Sequence, residues 1–201
     1  MDFKMEVYIL RHAISIANEK NLVCGSRDYP LSETGIKQAN RICNHLQKIP
    51  FTLGYSSPLS RSIDTIKYMK EKLQFNIVAE ISEVDTGDAS HMTFEKLWSL
   101  DNRYRSPWLH PYLRYPAGEC FYEMINRIQS WFLNESNKWK ENDIVLIVGH
   151  EGTLRSILLN LLNLKISEYP TFPIKNCDYF HLFITDGVLK EKKHLTLEDI
   201  G

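Results

Sequence analysis

The stretch from Met5 to Ala13, MEVYILRHA, is an apolar run that stops abruptly at Arg11 and His12. Val7, Tyr8, Ile9 and Leu10 favour extended backbone and show no polar alternation, the pattern of a strand buried on both faces. Such strands build parallel sheets, and in an open α/β sheet the ligand crevice lies outside the carboxyl ends of the strands. A reactive pair just past the last apolar residue therefore falls where chemistry is done. The rest of the chain can be read for partners to His12.

The same punctuation recurs. Phe51 to Tyr55 reads as a second strand running into Ser56, Ser57 and Pro58; Ser57 as N-cap and Pro58 at the first helical position would start a helix with Arg61 in its first turns. Asn76 to Ile81 reads as a third strand, with Glu83 at the mouth of the small-residue stretch Ser82 to Ser90. The fourth strand, Ile144 to Val148, stops at Gly149, His150, Glu151 and Gly152, and Cys177 to Thr185 is a fifth. The tail from Asp186 is either a short edge strand or a surface segment.

Helical spacing fills the gaps. A short helix is expected within Ile14 to Asn21, and a longer one runs from an N-cap at Ser32 to about Lys48. Another starts near Thr93. A long amphipathic helix opens at Gly118 and Glu119 with Met124, Ile125, Ile128, Trp131 and Phe132 on one side. Strands alternating with helices indicate an α/β fold, a mostly parallel central sheet with helices on both faces. At 201 residues the expectation is a single domain over 1–201 with a lid-like segment at about 88–116. Its part from Arg103 to Pro116 gathers three prolines with Tyr104, Trp108, Tyr112, Tyr115 and several arginines. Substrate contact and simple packing against the sheet edge are equally good readings of these rings.

Composition narrows the partners. Lys+Arg 24 against Asp+Glu 25 leaves a formal charge of -1, so neither nucleic acid nor an acidic membrane surface is expected as a partner, and any anion specificity must be local. Cys24, Cys43, Cys120 and Cys177 are far apart, with no CxxC pair and no leader read ahead of them, which suits reduced thiols and a cytoplasmic location. The most apolar helix, around Leu154 to Leu164, is interrupted by polar residues and too short to span a bilayer. A homodimer is compatible with all of this.

Arg11, His12, Arg61, Glu83 and His150 all fall just past the expected strand ends, so one crevice could hold the five. Two guanidiniums, two imidazoles and helix N-termini suit a tetrahedral dianion, and phosphate is the natural guest. A neutral histidine there can attack phosphorus, while a carboxylic acid opposite can protonate the departing alkoxide. The blander readings stand beside these. His45, His91, His110, His181 and His194 read as surface or structural residues, Glu83 alone as a loop carboxylate, Asn18 as a turn or cap residue, and Glu119 as a first-turn acid.

Several linked motifs carry a resemblance. RHA at Arg11 to Ala13, Asn18, GSRDYPLSETGIKQA from Gly25 to Ala39, SSPLSR ending at Arg61, PAGE ending at Glu119 and GHEG from Gly149 are similar, in order, to the histidine phosphatase superfamily, which includes the cofactor-dependent phosphoglycerate mutases. The resemblance implies that His12 becomes a phosphohistidine, that Arg11, Arg61 and His150 clamp the phosphoryl group with Asn18 as a further substrate contact, and that Glu83 is the proton donor. It implies no metal and no cofactor. Some positions depart from the family pattern: Ala13, Ile14 and Ser15 replace a common Gly-Glu-Thr, Cys120 replaces a Ser, Glu151 replaces a Gly, and Ala89, Ser90 and His91 stand near a usual Trp-Glu-Gly. Asp85 and Asp88 are therefore held as substitutes for Glu83.

The expected activity is hydrolysis of a small phosphorylated metabolite, a phosphomonoester, through the phosphohistidine, with a protonated His150 and a neutral His12. A phosphoglycerate-type mutase and a non-catalytic protein that binds a phosphate ligand are the rivals. A zinc hydrolase is disfavoured because the histidines lack metal-ligand spacing.

Overall fold

The computed structural model describes residues 4–69, 73–171 and 173–200. Six strands form one sheet: β1 (Lys4–Arg11), β2 (Leu53–Ser56), β3 (Phe75–Ile77), β4 (Ile144–Gly149), β5 (Tyr179–Thr185) and β6 (Val188–Leu195), in the order β3-β2-β4-β1-β5-β6. The pairings from β3 through β1 are parallel, and β5 and β6 close the far edge antiparallel. Register places the chemistry. Arg11 pairs with Gly149, and Ser56 with Val148, so β1, β2 and β4 end level with His12 and His150 side by side.

The helices are α1 (Ile16–Glu19), α2 (Glu33–Leu46), α3 (Ser60–Thr65), α4 (Phe94–Leu100), α5 (Phe121–Ser136) and α6 (Glu151–Leu161). Alternation along β1 feeds two cores. Val7 and Ile9 pack with Met124, Ile128 and Leu158 of α5 and α6, while Tyr8 and Leu10 pack with Ala39, Ile42 and Leu46 of α2. Each fully buried aliphatic side chain contributes roughly 1.5–3 kcal/mol, so the central strands are the most firmly held part of the molecule. Val23, Ala89, Leu97, Tyr104 and Tyr115 make a separate small core beneath the outer segment.

Several boundaries differ from expectation. α3 begins at Ser60, not at Pro58, and its N-cap is Leu59 without a side-chain cap bond. Asp28 does that work: its Oδ1 accepts from both the backbone N–H and the hydroxyl of Ser60, each at 2.8 Å. Ser57 instead faces His150. The third strand is only Phe75–Ile77, after which a 3-10 turn at Ala79–Ile81 buries Ile81 completely. Cys177 lies before β5, with φ +63°. The tail does form an edge strand, β6, after a tight turn through Asp186 and Gly187. The segment 88–116 is α4 followed by 3-10 turns at Asn102–Arg105 and Pro107–Leu109. All four cysteines are free thiols, and no helix among the described residues is long and apolar enough to cross a membrane.

Candidate active site

His12 directly follows β1, and its backbone N–H donates to the Gly149 carbonyl at 2.9 Å, tying it to the end of β4. Its ring Nδ1 lies 2.7 Å from the Ala13 carbonyl, an acceptor, so the hydrogen-bonded tautomer carries the proton on Nδ1 and leaves the Nε2 lone pair available. Burial lowers the His12 pKa well below the ordinary histidine range, and the Arg61 and Arg11 charges push it further down. The imidazole is neutral at neutral pH.

His150 lies behind it. The ring centroids are 5.1 Å apart, and His150 is fully buried with Nε2 2.8 Å from the Ser57 hydroxyl. The same physics acts here: burial first, then Arg61, His12 and Arg11, lower its pKa well below the usual value. Complete burial, and then the charges of Arg61, His12 and Arg11, thus oppose the protonated His150 expected from the sequence.

Arg61 is 1% exposed, held by Nη1 on the Arg27 carbonyl and Nη2 on the Gly25 carbonyl, both at 2.8 Å. Gly25 reaches that position with φ +51°, and a Cβ there would sit 2.2 Å from the Thr86 hydroxyl. Arg11 donates to the Ile174 carbonyl and pairs with Glu151 at 2.9 Å. The Nε atoms of Arg11 and Arg61 and Nδ1 of His150 are buried with no hydrogen-bond partner among the described residues.

Glu83 sits on a strap between the turn at Ala79–Ile81 and the Asp85–Gly87 loop. Its Oε2 accepts from the Gly152 N–H at 3.2 Å and its Oε1 from the Val84 N–H at 3.0 Å. Gly152 leaves room for the carboxylate: a Cβ would come within 2.2 Å of Glu83 Oε1 and displace it. Arg127 of α5 pins the strap, donating to the carbonyls of Glu80, Ser82 and Glu83 while its guanidinium pairs with Glu119 at 2.6 Å. Glu119 also accepts from the Asp85 N–H at 2.8 Å. It is thus a brace for the acid loop rather than a simple first-turn residue.

These elements enclose a cavity of about 510 Å³. Arg11, His12 and Arg61 line it together with Glu83, Glu151 and Asn18, whereas His150 does not reach the lining. Phe94, Trp98, Tyr104, Trp108 and Tyr115 form an aromatic wall, with exposed Arg105 stacked 4.5 Å from the Trp98 ring centroid. The 103–116 segment therefore packs and also faces the cavity. Asn18 lines the cavity, and its Oδ1 accepts from the N–H and hydroxyl of Ser15, the local bonding expected of a cap or turn residue. Asp85 and Asp88 are not in the lining; Asp85 accepts from the Ser26 hydroxyl and the Gly87 N–H, and Asp88 is exposed.

The remaining histidines have other surroundings. His45 meets the Tyr179 hydroxyl, His181 meets Glu6, and His194 meets Asp178. Sequence reasoning missed Arg127, Asp28 and the pairing of Ser57 with His150. Arg127 alone left a signal, a cation among the apolar positions of the amphipathic α5.

The family model of the histidine phosphatase superfamily (branch 1) matches residues 7–194. "Phosphoserine phosphatase 1" of Hydrogenobacter thermophilus is 29% identical over 87% of this chain and 84% of its own length. "Probable phosphoglycerate mutase GpmB" of Proteus mirabilis is 25% identical over 86% of this chain and 82% of its own. Among solved structures, the alpha-ribazole phosphatase from Shigella flexneri superposes with a TM-score of 0.79 at 24% identity, covering 92% of this chain and 93% of that one, a likeness of fold.

Proposed function

Because the chain belongs to the histidine phosphatase superfamily (branch 1), we propose that it hydrolyses phosphomonoesters through a covalent phosphohistidine at His12. The observation that carries this reading is the His12 imidazole, its Nδ1 fixed on the Ala13 carbonyl, in a cavity that Arg11, Arg61 and Glu83 also line; burial and the two arginine charges hold its pKa down.

The phosphate of the ester rests between Arg11 and Arg61, whose charges offset the equatorial oxygens. The Nε2 lone pair of His12 attacks phosphorus in line; the N–P bond forms as the bond to the ester oxygen breaks, and Glu83 delivers its proton to that oxygen. Each Glu83 oxygen already accepts one backbone N–H, which orients the carboxyl group and leaves a second site on each for a proton. Water then attacks the phosphohistidine, Glu83 takes the water's proton, and the N–P bond breaks to release inorganic phosphate and neutral His12. A bound dianion offsets the fields of Arg11 and Arg61, so His150, held on Ser57, gains a proton more readily with phosphate present than without it.

The cavity also favours one class of ester. Beyond Arg11 and Arg61 the lining cation among the described residues is Arg105, while Glu83 and Glu151 present carboxylates and the wall is aromatic. A second acid group on the substrate, as in a phosphoglycerate, meets poor company near the phosphate; an apolar or flat leaving group meets Trp98, Trp108 and Tyr115. This supports a hydrolase over a mutase. Phosphate release from an aryl phosphate and from a panel of small esters, with chelator present, tests it: release should persist with chelator and vanish in His12→Ala. Isomerisation of phosphoglycerate with a bisphosphate primer, in the absence of net release, would contradict it.

A further inference from the structure

Glu151 is unexplained by the reaction above. It is the first residue of α6, immediately after His150, and it lines the cavity with about a third of its side chain exposed. Its two oxygens are divided between two cations. Oε2 lies 2.9 Å from Arg11 Nη1, and Oε1 pairs with Nη2 of Arg155 one turn further along α6. Arg155 is itself fixed, with Nη1 donating to the Tyr169 carbonyl at 3.1 Å and its guanidinium 5.4 Å from the Tyr169 ring centroid. The carboxylate therefore has little freedom to leave Arg11.

Arg11 is also one of the two arginines of the phosphoryl site. Its Nη1 is shared between Glu151 and the Ile174 carbonyl. A dianion brought to this guanidinium approaches a fixed carboxylate, and like charges at such a distance in a half-buried setting repel. We propose that Glu151 competes with phosphate for Arg11, and that it thereby sets how loosely the site holds inorganic phosphate, the product of its own reaction. The inference rests on the reading of this cavity as a phosphoryl site. Arg155 is the counterweight: by drawing part of the Glu151 charge toward itself, it leaves more of Arg11 for the ligand. Loose retention is useful to a hydrolase, whose product must leave, and harmful to a mutase, whose phosphoryl group must stay.

A merely structural role makes the opposite forecast. If Glu151 only positioned Arg11, removing its charge would weaken phosphate binding; if it competes, removal strengthens it. Glu151→Gln keeps the size and one of the two acceptor oxygens and deletes the charge; its amide NH2 cannot accept from an arginine. Arg155→Met leaves the whole carboxylate charge on Arg11. Titration calorimetry with inorganic phosphate at fixed pH and low ionic strength compares wild type, Glu151→Gln and Arg155→Met, and p-nitrophenyl phosphate turnover is followed in the same preparations.

The expected result is a dissociation constant roughly tenfold lower in Glu151→Gln and higher in Arg155→Met. Unchanged or weaker binding in Glu151→Gln overturns the inference, as does the absence of phosphate binding in all three. Should Arg155→Met fail to fold, Glu151→Gln decides alone. Turnover with unaltered affinity removes this inference and leaves the hydrolase standing, whereas tighter binding in Glu151→Gln without turnover in any preparation does the reverse.

Discussion

On the floor of the cavity, Arg11, His12 and, beneath them, His150 follow directly from the ends of β1 and β4, and Arg61 enters on α3 from the end of β2. On the wall, the residues from Glu83 to Tyr115 run through 3-10 turns, a seven-residue helix and loops, braced by Arg127 and Glu119. The floor inherits its geometry from strand register and two buried cores. The wall depends on a few polar bonds and a small core of its own. Positions on the floor should therefore decide whether a reaction happens at all, and positions on the wall which ester undergoes it and how well its leaving group is protonated.

The largest expected effect is on the floor. His12→Ala should lower kcat by roughly four orders of magnitude or more, since removal of a nucleophile rarely leaves much behind; circular dichroism should be unchanged, and retained turnover would break the comparison. Arg61→Ala should cost roughly a thousandfold in kcat/KM. It should also destabilise the fold by about 1–3 kcal/mol, because the Gly25 and Arg27 carbonyls lose their donor. Denaturant unfolding beside steady-state kinetics separates the two losses.

The floor also carries a pH signature. His12 and His150 have folded pKa values depressed below the unfolded value, so below about pH 6.5 the unfolded chain binds protons that the folded chain refuses. Their contribution is complete above the unfolded pKa and shrinks as pH falls toward the folded values, by about 1.4 kcal/mol per pH unit for each imidazole. Thermal midpoints measured from pH 7 to pH 5 should decline, and His150→Asn should flatten the slope.

Effects on the wall should be smaller and selective. Arg127→Met frees the Glu83 strap and should lower kcat roughly tenfold or more. The loss should be greater for an alkyl phosphate, whose leaving oxygen needs a proton, than for p-nitrophenyl phosphate; equal losses would argue that Arg127 only stabilises the fold. Trp98→Ala, smallest of all, should reduce kcat/KM for naphthyl phosphate by roughly threefold to tenfold while barely changing that for a small alkyl phosphate. A uniform drop would remove the wall from specificity.

What was legible in the sequence follows the same division. Val7 to Leu10 and Ile144 to Val148 are continuous apolar runs, so the strands and the residues just beyond them could be read directly, and register then brought His12 beside His150. Glu83 was legible from its position past a strand, although that strand is shorter than its apolar content suggested, because Asn76 and Ile77 lie exposed on an edge. The start of α3 was misread because its capping acceptor, Asp28, comes from 32 residues earlier rather than from Ser57. The neutral state of His150 was hidden for a related reason: it depends on burial and on cations from other elements. Arg127 and the sharing of Glu151 between Arg11 and Arg155 are likewise products of tertiary approach, which periodicity does not encode.

The most direct test of the central claim is to trap the intermediate. Wild-type protein mixed rapidly with radiolabelled aryl phosphate and quenched in alkali should carry base-stable, acid-labile label on the peptide containing His12, and His12→Ala should carry none. The quench is repeated at low temperature and over a series of short times, so that label is sampled before water breaks the N–P bond. Label at His12 that forms and decays at rates compatible with kcat is the predicted result; label on another residue, or equal labelling and turnover in His12→Ala, would contradict the account.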